Sequence, residues 1–158
     1  MMLKSITICI ALLTTPTPAF QSSDQSINLL SGKIQVLFQE RGWQLKHEQA
    51  RKKEAYQHWE SGLQSIELTF FYFSSKEEAV KHLEQDRDIT LYITLLGAGK
   101  LIKGVGDEAF EWNDMKDGKS AIRFSKGKVM VTLIASSAEQ ARRYAEILSD
   151  YLASNAVA

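Results

Sequence analysis

The sequence has a single cysteine, Cys9, and two prolines, Pro16 and Pro18, in 158 residues, and all three lie in its first eighteen positions. It has no excess of either charge, with 19 basic residues against 19 acidic ones. A neutral chain exerts no long-range pull on nucleic acid or anionic lipid, so any polyanion site must be a local patch. No apolar run approaches the roughly 20 residues that a membrane-spanning helix needs.

What is present at the amino end is a short apolar centre. Lys4 is the only charge before Asp24, and Ile6 to Leu13 is apolar except for Thr7. Thr14-Thr15-Pro16-Thr17-Pro18-Ala19 follows. A positive end, an apolar centre and a small-residue exit are the pattern of a secretory signal peptide, with cleavage expected after Ala19. Cleavage would remove the cysteine and both prolines. Thiol chemistry then drops out, and a single domain over 20–158 must rest on its core without disulfides. Such a protein fits the bacterial periplasm or the extracellular space, with no transmembrane segment left once the leader is gone.

The rest alternates between helical and strand signals. Ile27, Leu30, Ile34 and Leu37 or Phe38 recur at helical spacing and predict a helix over 26–40, capped by Asp24 or Ser26 and ended at Gly42, with Ser31-Gly32 weakening its middle. Strands are expected over 43–50 and 56–60, with a charged turn at Arg51-Lys52-Lys53-Glu54. Ile66 to Phe73 is rich in β-branched and aromatic residues and apolar on both faces at its later end, which predicts a covered central strand. Ser74 with Glu77 and Ser75 with Glu78 both have capping-box spacing before a helix that buries Ala79, Val80 and Leu83. Ile89, Leu91, Ile93 and Leu95 alternate as a strand does, with continuation of the preceding helix as the alternative. Further strands are expected at 109–112, 121–124 and 129–135, the last two joined around Lys126-Gly127. Ser136 to Glu139 reads as another capping box, opening a helix to about Leu152.

Residues 69–79 align without a gap on 131–141, an offset of 62 that places Ser74, Ser75, Glu77 and Ala79 on Ser136, Ser137, Glu139 and Ala141, and Gly42 on Gly104. The expected fold class is therefore α+β, an antiparallel sheet with helices packed on it. Two ββα-type pseudo-repeats, 42–84 and 104–146, would share the sheet and leave a ligand cleft between them.

Known chemical motifs do not fit. Gly104, Gly106 and Ala109 have the spacing of a dinucleotide fingerprint, but Phe-Glu-Trp-Asn-Asp follows instead of a helix, and Asp107 and Glu108 would repel a pyrophosphate. Gly97-Ala98-Gly99-Lys100 lacks both the upstream glycine and the hydroxyl residue of a phosphate loop. His47, His58 and His82 have no histidine three or four residues away, so no metal is expected. No cofactor and no catalytic group are assigned. The ligand-binding candidates are the aromatics of the less regular stretches, Trp43, Tyr56, Trp59 and Trp112, together with Asp107 and Glu108.

The block Lys103-Gly104-Val105-Gly106-Asp107-Glu108-Ala109-Phe110, the hairpin Ala121 to Val131 with Lys126-Gly127-Lys128 at its turn, and the capped final helix resemble a loose group of uncharacterised bacterial exported domains. The resemblance covers residues 103–152. It implies an envelope location and an α+β accessory or binding module, with no catalytic residues to carry over. The expected function is an exported, non-catalytic domain binding a small ligand or an envelope protein and not nucleic acid. The alternatives are a small envelope hydrolase using Asp107, Glu108 or His58, and an inhibitor or chaperone-like partner offering a strand edge.

Overall fold

A computed structural model of the chain describes residues 23–88, 99–113, 115 and 118–155. The leader and the strand expected at 89–95 lie outside them. The order is α1 (Ser23–Gln39), β1 (Gln44–Arg51), β2 (Glu54–Ser61), β3 (Gln64–Tyr72), α2 (Lys76–Asp88), β4 (Lys100–Ile102), β5 (Glu108–Trp112), β6 (Ser120–Lys126), β7 (Val129–Ala135) and α3 (Ala138–Ser154). The strands form one seven-stranded sheet in the order β1-β2-β3-β7-β6-β5-β4, antiparallel throughout. The fold class is α+β, as the sequence predicts.

Alternation along the strands separates two apolar layers, because successive side chains point to opposite faces. Ile66, Leu68 and Phe70 of β3 and Val131 and Leu133 of β7 join the main core, with Ile27, Ile34 and Phe38 of α1 and Ala141, Ala145 and Leu148 of α3. Phe71, Phe73, Met130, Phe110 and Trp112 point the other way, toward Leu83 of α2. Among the described residues α1 and α3 cover one face, and α2 covers the other mainly over β5, β6 and β7, with Phe71 at the later end of β3 also packed into that layer. β3 is central, but it is covered on both sides only at its later end. Glu67 and Thr69 remain on an uncovered face.

The stretches 42–84 and 104–146 are each βββα rather than ββα, with β4 preceding the second, and their helices do not share a face. The reason lies in the register. Thr69 pairs with Thr132 and Leu68 with Leu133, and directly paired residues share a face. Residues 62 apart therefore face opposite ways: Phe71 looks to α2, whereas Leu133 looks to α3. The local strand-to-helix unit is repeated, and the sheet sets the two units back to back. The halves meet along the continuous β3–β7 ladder, so the depression between them lies at its end, beside Tyr72 and Val129.

The repeat is clearest at the caps. Ser75 Oγ accepts from Glu78 N at 3.1 Å, and Ser74 N donates to the Glu78 carboxylate at 3.0 Å. Ser137 Oγ accepts from Gln140 N at 3.2 Å, and Ser136 N donates to the Gln140 side chain at 3.0 Å. The frames in use are thus Ser75/Glu78 and Ser137/Gln140, not Ser74/Glu77 or Ser136/Glu139. Asp24 and Ser26 fall inside α1 rather than at its cap. Ser31 does not interrupt α1. It turns into the core, where its Oγ accepts from Gln57 at 2.9 Å and donates to Glu48 at 2.5 Å.

Candidate functional site

The glycine turn before β5 borders two cavities of the surface. Gly106 N donates to Ser149 Oγ of α3 at 2.8 Å, and Asp107 N donates to Ser125 O of β6 at 2.7 Å. These bonds aim the Asp107 carboxylate across the β6–β7 turn. It accepts from Gly127 N at 2.9 Å, from Lys126 Nζ at 3.3 Å and from Lys76 Nζ at 3.2 Å. Its side chain is only 19% exposed. That partial burial works against ionisation, but the Gly127 hydrogen bond and the two ammonium groups outweigh it and hold the carboxyl below its ordinary range.

A cleft of about 460 Å³ opens beside this junction, lined by Tyr72, Lys76, Asp107, Lys126, Gly127, Lys128, Val129, Leu152, Ala153 and Asn155. Its floor is apolar: Val129, Leu152 and Tyr72 are all buried. Its rim carries three lysines, Lys76, Lys126 and Lys128, against one carboxylate. A second cavity of about 420 Å³ lies on the other side of the Lys76–Asp107 pair, lined in part by Val80, Leu101, Lys103, Gly104 and Glu108. Among the described residues no group of three or more His, Cys, Asp or Glu side chains forms a metal site.

The six candidates of the sequence do not converge. Trp43 and Trp59 are in the main core, 4% and 0% exposed, with Trp59 stacked on Phe38 at 5.1 Å. Trp112 is 3% exposed in the other layer. None of the three offers a ring face to a ligand. Tyr56 is half-buried on the uncovered face, where partial burial and then the Glu67 charge and hydrogen bond push its phenol up. Glu108 borders the second cavity, and Asp107 links the two cavities. The hydrolase candidates are also apart. His58 lies on β2, four inter-strand spacings from β5, roughly 19 Å at the usual sheet spacing. The lysines of the rim were missed because the hairpin turn, the cap of α2 and the end of α3 meet only in space. The one local signal was the pair of lysines flanking Gly127.

Comparison with known proteins adds no relative: no protein family, no curated protein and no solved structure is similar to this chain.

Proposed function

We propose that this chain is an exported, non-catalytic α+β binding domain whose ligand is a small amphipathic anion, held in the cleft between the β6–β7 turn and the end of α3. The observation that carries the reading is the lysine rim over an apolar floor. An anionic head, carboxylate or phosphate, would meet Lys126, Lys128 and Lys76, while an apolar body would cover Val129, Leu152 and Tyr72. Asp107 positions two of those lysines and consumes part of their charge, so the rim keeps a net positive balance. Its depressed pKa keeps it ionised, which suits a fixed anchor and not a general base poised near neutrality. That favours binding over the envelope-hydrolase alternative.

The export part of the reading rests on the leader pattern of residues 1–19 and on the likeness to bacterial exported domains. In addition, no described helix is long and apolar enough to cross a membrane. Cell fractionation followed by amino-terminal sequencing tests it, with Phe20 expected as the first residue of the envelope form.

Ligand binding is tested by titrating dodecanoate, dodecyl phosphate and dodecanol while following the amide signals of Lys126 to Val129. The two anions are expected to bind and shift those signals, with Lys126→Ala/Lys128→Ala weakening them about tenfold, a loss of about 1.4 kcal/mol. Equal binding of the neutral alcohol, or no shift with either anion, would overturn the reading.

A second reading is favoured by the outer edge of β1, which has no partner strand among the described residues. A partner protein could add a strand there. The strand is blunted by Lys46, His47, Glu48 and Arg51 and by a register shift between Leu45 and His47, the devices that protect edges from such pairing. The cleft therefore ranks first.

A further inference from the structure

His47 and His58, two of the three histidines in the chain, are direct partners across the β1–β2 ladder. Directly opposed side chains in an antiparallel pair share a face, with Cβ atoms about 4.5–5.5 Å apart. Ring contact between His47 and Tyr56 at 6.0 Å places His47 on the uncovered face, where Tyr56 and His58 also lie. His47 is exposed and His58 half-buried, so solvent reaches both imidazoles. His58 also has a carboxylate at hand, with Nε2 at 3.3 Å from Glu60 Oε1.

From this placement we infer that His47 and His58 form a chelating pair for a borderline divalent ion such as Zn²⁺, Ni²⁺ or Cu²⁺. Imidazole nitrogen suits these ions, whereas Mg²⁺ and Ca²⁺ demand oxygen. Metal–nitrogen bonds of about 2.0–2.1 Å require the two ligand nitrogens to come close together, which is within the reach of cross-strand partners whose Cβ atoms lie about 4.5–5.5 Å apart. Among the described residues no preformed group of three ligands exists, so the ion would have to draw Glu60, already beside His58 Nε2 at 3.3 Å, into its shell and complete it with water. Glu60 is also paired with the Lys46 ammonium, at 3.6 Å. Lys46 is thus a built-in competitor: it occupies the carboxylate and adds a like charge beside the ion. Its side chain is 44% exposed on a flexible stem, so it can swing away.

The test is calorimetric titration of the full chain with Zn²⁺. One equivalent is expected at the pair. His47→Ala or His58→Ala should each weaken binding at least about tenfold, as losing a ligand should cost no less than losing a supporting contact. His82→Ala is the control, because His82 stacks on Phe73 at 4.8 Å on α2, away from the pair. Lys46→Ala should tighten binding by freeing Glu60, an effect that a merely structural role for the histidines would not produce. Cys9 is common to every variant, so differences between them isolate the pair. Absence of zinc binding, unchanged affinity in both His47→Ala and His58→Ala, or equal weakening by His82→Ala would each overturn the inference.

Discussion

The indole N–H of Trp43 donates to the Tyr144 hydroxyl at 2.7 Å, a buried bond between the residue that leads into β1 and the middle of α3. The two rings meet edge to face at 5.4 Å, and Phe38 of α1 contacts both. This polar contact and the rings around it thus join α1, the start of β1 and α3 inside the core layer. Tyr144→Phe keeps the ring and removes the acceptor, stranding a buried N–H. The expected cost is about 1–3 kcal/mol, read as a lower midpoint in urea with an unchanged slope. An unchanged midpoint would mean that the bond contributes nothing net.

Gln57 plays the same part between α1 and the sheet. It is fully buried, accepts from Trp59 Nε1 at 3.1 Å and donates to Ser31 Oγ at 2.9 Å. Gln57→Leu fills the volume and leaves the Trp59 N–H without its acceptor. A loss of about 2 kcal/mol is expected. Amide exchange should rise first in α1, which Gln57 anchors through Ser31. Uniform exchange across all three helices would contradict that role.

Much of the fold was legible because it is local. Every predicted strand within the described residues is present, and both predicted serine-capped helices form, because alternation and capping depend on neighbours in the chain. Ser31 was misjudged for the same reason. In isolation a serine weakens a helix interior, and only the fold reveals Gln57 and Glu48 waiting for its hydroxyl. The faces of α2 and α3 were not legible, since they follow from the β3–β7 register. The candidate site was less legible still. Tryptophans marked as ligand contacts are core residues, because irregular flanking sequence does not reveal burial. Lys76 joins Lys126 and Lys128 only in space, and the His47–His58 pairing depends on the register shift in the β1–β2 hairpin, which spacing does not reveal.

The two glycines of the turn before β5 differ in what they tolerate. Both have positive φ, +88° at Gly104 and +63° at Gly106. A Cβ on Gly104 meets open space, but one on Gly106 would run into the Ser125 carbonyl oxygen and sit 2.9 Å from the Phe124 ring. Gly104→Ala should therefore cost about 1 kcal/mol, for the left-handed backbone alone. Gly106→Ala should cost about 3 kcal/mol or more, because overpacking adds to that strain. Thermal melts of the two variants side by side check the ranking. Equal losses would mean that the turn shifts freely away from β6.

Asp107 links the stability of the cleft to pH. Its folded pKa is depressed, although partial burial opposes that, because Gly127 N–H, Lys76 and Lys126 favour the charged form. A depressed carboxyl contributes stability above its unfolded pKa, which is near 3.9 for aspartate, and loses it as pH falls through the lower folded value. Asp107→Asn removes the charge at every pH. At pH 7 the variant should be less stable by about 1 kcal/mol, a figure at the low end because the lysines are partly exposed and screened. As pH falls below the unfolded value and through the lower folded one, the wild type loses the same contribution, so the two stability curves should converge. Urea midpoints measured for both proteins between pH 2.5 and 7, spanning the range set by the aspartate pKa, test this directly. A gap that stays constant down to the lowest pH would show that Asp107 acts through its shape at the β6–β7 turn and not through its charge.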